Sequence, residues 1–370
     1  MKKIIINGAN GYVASNFINQ LLHHEYEIIA LVRGNKKLTA NERMNQVLSH
    51  LNDKDFSGNK KLKVINYSLN DENFDIPEEE LKTIFSGEIE YYHFAASLKY
   101  DFKSKDEIFR TNIDGVKNSL SIYKKYTSEN SRFFFISTAY SCGKYNGEYK
   151  EQFHDNEDIS AFRNYYEQSK RFAENVIREF GQNNNINTHI IRLSQVVGDS
   201  ETGITKTDYG IFDFAKRMHS ISTRYPNKEI RVKVDPEATQ NLIPINLVIR
   251  YLMRTVEASE VPQILNLTAK QSIQNTIILD GLSTLIPIKL IPVPELKKEE
   301  MSAIERLVSV GMSFTGSYID TDLKWETNNL DALIPIENGN SEDKAILKML
   351  KYFIDSLDSS RIDNEVNIAS

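Results

Sequence analysis

The stretch Ile4-Ile5-Ile6-Asn7-Gly8-Ala9-Asn10-Gly11-Tyr12-Val13-Ala14 decides how the chain folds. Lys3 to Asn7 is a short apolar run of the kind that makes a buried strand. From Tyr12 to His23, apolar residues fall at 13, 14, 17, 18, 21 and 22, the spacing of one helical face. Two glycines and a small residue join the two. Gly8 allows the tight turn, Gly11 lets the backbone approach a pyrophosphate, and Ala14 sits where a third small residue lets helix pack on strand. The helix opens with N–H groups that attract an anion. Strand, glycine turn and helix at the start of the chain read as a dinucleotide site built on Gly8, Asn10, Gly11, Tyr12 and Val13.

The alternation continues. Further strands are expected at Glu27 to Arg33, Leu62 to Tyr67, Ile89 to Phe94, Arg132 to Ser137 and Thr188 to Leu193. Helices are expected at Ala40 to Leu51, Ile108 to Tyr126 and Tyr165 to Phe180, the last stopped by Gly181. Six strands joined by crossovers of this kind make a doubly wound parallel sheet of the α/β class. After Val197 the regularity fades. Residues 1–197 with 240–267 are expected to form the nucleotide domain. Residues 198–239 with 268–354 are expected to form a smaller, interleaved α+β substrate domain, and 355–370 a flexible polar tail.

Composition excludes other classes. In 370 residues, 45 Lys and Arg stand against 51 Asp and Glu, a net charge of −6, which argues against a nucleic-acid surface. The single cysteine, Cys142, excludes an internal disulfide and a multi-cysteine zinc site, and fits a cytoplasmic protein. No His, Asp or Glu pair has metal spacing, so no metal is expected. Met1 to Ile6 is too short an apolar start for a signal peptide. Thr276 to Leu296 carries Asp280, Lys289 and three prolines, so no membrane span is expected.

Two further features carry chemistry. The second strand ends Ala30-Leu31-Val32-Arg33, with no carboxylate to accept bonds from a ribose 2′-hydroxyl. Arg33, followed by Lys36, Lys37 and Arg43, suits a 2′-phosphate instead, so the expected cofactor is NADP(H). The fifth strand ends in Ser137-Thr138, and Asn164-Tyr165-Tyr166-Glu167-Gln168-Ser169-Lys170 follows. Tyr166 and Lys170 are four apart and share a helical face. An ammonium beside a phenol favours the phenolate and makes the phenol a better proton donor. Tyr165 has Ser169 at that spacing, so Tyr166 is the expected phenol. Ser137 and Thr138 point oppositely on the strand, so only one hydroxyl faces the site. Hydroxyl, phenol and ammonium together suit hydride transfer with proton donation to a carbonyl oxygen.

On these residues the chain resembles the extended short-chain dehydrogenase/reductases, with their Rossmann-type sheet. The resemblance implies that Thr138, Tyr166 and Lys170 are the catalytic set and that Asn112, in Thr111-Asn112-Ile113-Asp114-Gly115, braces Lys170 through a water. Over most of residues 1–250 the chain is most similar to the thioester-reductase and fatty-acyl-CoA-reductase branch. Leu31-Val32-Arg33 with Arg43, Asn73 to Leu81, His93-Phe94-Ala95-Ala96, Ser137-Thr138-Ala139-Tyr140 and Val196 to Gly203 carry that likeness. It implies cofactor contacts at Ser68, Leu69, Ala95, Ala96, Lys170 and Val196. It further implies an acyl-thioester substrate, delivered in trans on coenzyme A or a carrier protein, and a homodimer. Three departures stand out: Ala14 for a third glycine, Ser68 for an Asp that bonds adenine, and Asn246 for a frequent Asp. The alternatives are an aldehyde or ketone reductase, a sugar-nucleotide epimerase or dehydratase, and a non-catalytic NADP-binding protein. A dehydratase usually places an acidic pair after the active-site Thr, where this chain has Ala139-Tyr140.

Overall fold

Apolar runs too continuous for a half-exposed strand pair into a sheet that is covered on both faces. The computed structural model describes residues 2–52, 56, 58–311, 318, 322–334 and 342–369. Seven parallel strands form the central sheet: β1 (Lys2–Asn7), β2 (Tyr26–Val32), β3 (Leu62–Asn66), β4 (Ile89–His93), β5 (Arg132–Thr138), β6 (Asn187–Leu193) and β7 (Ile264–Leu267). Their order is β7-β6-β5-β4-β1-β2-β3. The order reverses between β1 and β4, which opens a crevice at the C-terminal ends of those two strands. The six expected strands are all present. The seventh, only four residues long, was not read as a strand.

Helices α1 (Tyr12–Leu21), α2 (Ala40–Asn52), α3 (Glu78–Phe85), α4 (Lys105–Phe109), α5 (Gly115–Tyr126) and α6 (Tyr165–Asn184) cover the sheet. Two differ from expectation. The helix expected from Ile108 is broken by a π turn at Arg110–Asp114, which carries buried Asn112. And α6 does not stop at Gly181 but runs to Asn184, where Asn185 takes the left-handed cap at φ 52°. Gly181 serves packing instead: a Cβ there would lie 2.8 Å from Thr188 Oγ1 on β6.

The chain divides into two units. The first comprises Met1–Ser194, Leu247–Thr268 and Trp325–Ile336. Its core is aromatic-rich, with Tyr91, Phe133 and Phe85 wholly buried. The second comprises Gln195–Asn246, Ala269–Lys324 and Glu337–Ser370. It holds short paired strands and the helices α7 (Ile211–Arg224), α8 (Ile245–Glu257, whose first residues belong here) and α9 (Asn275–Leu285). Phe212, Met218, Leu282 and Leu350 are wholly buried at its core. The return to the first unit therefore falls at Leu247 rather than Gln240, and Trp325–Ile336 is a second return. The stretch expected to be a frayed tail continues the helix Glu342–Ala369. Among the described residues no helix is long and apolar enough to cross a membrane.

Candidate active site

The crevice is built first from Asn7, at the end of β1. Its side chain accepts from Ala95 N at 3.0 Å and donates to Tyr91 Oη at 2.9 Å. It also lies 2.9 Å from His93 Nδ1. Asn7 thus ties the segment after β4 to the turn after β1. Gly8 then turns with φ +60°, and a Cβ there would lie 2.7 Å from Ala95 N, so only glycine fits. Gly11 N–H bonds back to Gly8 O at 2.9 Å and closes the turn. No side chain caps the start of α1 at Gly11. Asn7 is wholly buried and is not among the residues expected from the sequence, where the signal is a polar residue closing the apolar run Ile4-Ile5-Ile6.

The neighbouring expected residues stand as follows. Arg33 is exposed, and its carbonyl accepts from the Arg43 guanidinium, which joins the two cations at the end of β2. The Ser68 N–H is spent on Phe74 O at 2.9 Å. Leu69 packs where a Cβ on Gly115 would come within 2.7 Å of it, and its carbonyl accepts from Asn118 at 2.7 Å. Ala95 and Ala96 are half-buried after β4. Val196, in the second unit, lies on the short strand Gln195–Val197 paired in parallel with Leu242–Pro244. In that unit Asn246, where Asp is frequent, accepts from Ser200 N at 3.0 Å and holds the loop that follows.

Beside the crevice, α6 carries the phenol and the ammonium expected from the sequence. Asn164 caps it by accepting from Glu167 N, and Tyr165 opens it. Tyr165 packs edge-on against Phe102 and Phe109, at 5.3 and 5.9 Å between ring centres, so its ring belongs to an aromatic cluster. Tyr166 is half-buried. One turn on, Lys170 is only 2% exposed, and its ammonium donates to Ile136 O at 2.8 Å and lies 4.5 Å from the Phe135 ring centre. Burial drags Lys170 down to about 7, and the Glu174 charge opposes that fall.

At the end of β5 the two hydroxyls diverge. Ser137 donates to the buried Glu174 carboxylate. Thr138 accepts from Tyr140 N at 3.2 Å and donates to Leu193 O at 3.4 Å. Ile136, which anchors Lys170, is two residues before Thr138 on the same strand. Asn112 is buried on the π turn, where its direct partners lie on the segment after β4 and on α6. Its amide accepts from Ser97 N at 2.7 Å and donates to Ser169 Oγ at 2.9 Å, pinning the segment after β4 to α6. Cys142 is buried, and burial pushes its thiol up to about 12, which leaves it inert at neutral pH. His93 is wholly buried, and burial followed by the Lys170 charge pulls it to about 3.

A family model described as male sterility protein, an NAD-binding type, matches residues 6–252. The chain belongs to the male sterility protein family. With it, the chain belongs to the extended short-chain dehydrogenase/reductases, and the protein is an oxidoreductase of that type. Comparison with curated proteins gives no match. Solved structures share the fold of this family member. The terminal R domain of the myxalamid PKS-NRPS pathway is similar at 16% identity and TM-score 0.77, over 96% of this chain and 91% of that one. A thiolation-reductase di-domain from an archaeal non-ribosomal peptide synthetase is similar at 18% identity and TM-score 0.74, over 97% and 76%. UDP-glucuronic acid 4-epimerase from Bacillus cereus, in complex with UDP-glucuronic acid and NAD, is similar at 17% identity and TM-score 0.67, over 96% and 99%.

Proposed function

We propose that the protein is an NADPH-dependent reductase of a carbonyl substrate, an acyl thioester on coenzyme A or a carrier protein. The observation that carries this reading is Lys170, buried, one helical turn from Tyr166 and anchored on Ile136 O, two residues before Thr138 on β5. The likeness to the R domain of a PKS-NRPS pathway and to a thiolation-reductase di-domain supports the substrate class.

The crevice fits a dinucleotide. The turn at Gly8 admits no side chain, and the start of α1 has no side-chain cap, so its N–H groups suit a pyrophosphate. Gly8, Asn10, Gly11, Tyr12 and Val13 would surround the phosphates. Arg33 and Arg43 would meet a 2′-phosphate. Ser68, Leu69, Ala95 and Ala96 would border the rest of the cofactor, and Lys170 would hold the nicotinamide ribose. When bound, the reduced nicotinamide supplies a hydride.

The protein's own groups manage the oxygen and the proton. Thr138 donates a hydrogen bond to the carbonyl oxygen. Tyr166 gives that oxygen its proton as the carbon takes the hydride, and Lys170 stabilises the phenolate left behind. Asn112 fixes the segment after β4 against α6. With a thioester the first product is a hemithioacetal. Its hydroxyl proton passes to sulfur as the carbon–sulfur bond breaks, giving aldehyde and thiol. A second hydride would give the alcohol.

The test is oxidation of NADPH and of NADH with an acyl-CoA, an aldehyde and a ketone. Turnover with the acyl-CoA, and a preference for NADPH lost in Arg33→Ala, are expected. Turnover with the ketone alone would remove the thioester assignment, and equal use of both cofactors would remove Arg33 as the selector.

A further inference from the structure

Tyr166, Lys170 and Glu174 are each four residues apart and continue one face of α6 inward. Glu174 is 1% exposed. Its carboxylate accepts from Arg192 Nη2 at 2.7 Å and from Arg192 Nε at 3.2 Å, and it accepts the Ser137 hydroxyl. Arg192 is wholly buried and also donates to Lys150 O and Gln152 O, at 3.1 and 3.0 Å. The carboxylate is therefore locked in place by β5 and β6 together. Burial pushes Glu174 up, but Arg192 and Ser137 outweigh it, so the group stays charged.

Lys170 has the opposite problem. Among the described residues it forms no ion pair, and its only hydrogen bond is to the Ile136 carbonyl. A lone ammonium in so dry a place tends to shed its proton. The mechanism above needs that proton to stay. We propose that Glu174 is a positioning residue for the reaction: held by Arg192 and Ser137, it keeps the Lys170 ammonium charged inside the protein. This rests on the reductase reading of Tyr166 and Lys170.

The other titratable groups around the pair are Tyr166 and Arg171 on α6, His93 on β4, Arg192 on β6, and Tyr149 and His154. Burial holds His93 and His154 neutral, at about 3 and about 4, and keeps Tyr149 a neutral phenol. Arg171 is spent on Ser141 O, at 2.6 and 2.9 Å. Glu174 is thus the negative charge that acts on Lys170 at neutral pH.

The experiment titrates Lys170 directly, by NMR of protein carrying 13C-lysine, with the resonance assigned by its loss in Lys170→Met. The Lys170 midpoint is expected to fall by about one pH unit or more in Glu174→Gln. It is expected to return in Glu174→Asp, which keeps the carboxylate. Because Glu174→Gln strands Arg192, Glu174→Met with Arg192→Met serves where folding suffers. Removing Arg192 relieves repulsion, so a fall in the double variant is due to Glu174. The upper limb of the kcat/KM profile, read as NADPH oxidation with a saturated acyl-CoA, should move with the midpoint while KM stays constant. An unmoved midpoint in a folded variant would overturn the proposal and leave the reductase reading standing. So would a moved midpoint with an unmoved rate profile. Failure of the reductase reading shows separately, as turnover that survives in Tyr166→Phe.

Discussion

The two ends of β5 bury positive charge in opposite ways. At its start Arg132 meets the buried Glu90 carboxylate and donates to Ala258 O and Thr255 O, at 2.8 and 3.1 Å. Lys2 joins the same carboxylate at 2.9 Å. Every charge there has a partner, and the cluster ties β1, β4 and β5 together. Near its other end Lys170 is also buried, but among the described residues its hydrogen bond is to a backbone carbonyl and it has no ion pair. What differs is the direct ion pair, which Arg132 makes with Glu90. The paired end is built for holding. The unpaired end holds Lys170 near neutrality, which suits the proton transfer proposed for it.

Four substitutions or conditions test that contrast. Lys170→Met should cut carbonyl reduction by about a hundredfold or more, while the melting temperature at pH 6 holds or rises, because a lone buried charge is gone. A fall in stability would mean that Lys170 is structural. Arg132→Met should do the reverse. It leaves Glu90 short of its main partner, so denaturant unfolding should show a loss of about 3 kcal/mol with KM unchanged.

The pH dependence follows from the same lysine. In the folded protein Lys170 releases its proton at about 7, against an ordinary value of 10.5. The folded state thus binds fewer protons between those values, and the Lys170 contribution to stability rises with pH across that window. The wild-type melting temperature should climb relative to Lys170→Met from about pH 6 to about pH 9. Over the same range kcat/KM for reduction should fall, approaching about tenfold per unit above the midpoint. The smallest effect is expected at the crevice. Gly8→Ala places a Cβ 2.7 Å from Ala95 N at a positive φ, and cofactor titration should show about tenfold weaker binding.

The first unit was legible because its strands, covered on both faces, are nearly continuous apolar runs, and its helices keep one stripe. The glycine turn, Thr138, Tyr166 and Lys170 stood out for the same reason: each is fixed by local spacing. What failed depended on distant partners. β7 is four residues long and pairs with β6 across a long excursion of the chain. Gly181 looked like a helix stop because its contact, Thr188, lies beyond the turn. The π turn at Asn112 arises where that side chain must reach both Ser97 and Ser169. Glu174 reads as an ordinary helix-surface acid until Arg192 and Ser137 are seen to close on it.

The most direct measurement compares wild type with Tyr166→Phe in a single experiment, following loss of reduced nicotinamide on mixing with an acyl-CoA. The wild type should oxidise the cofactor. The variant should bind it equally well and turn over about a thousandfold more slowly, since only the donated proton is gone. Equal rates in the two proteins would contradict the assignment of Tyr166 and, with it, the reductase mechanism.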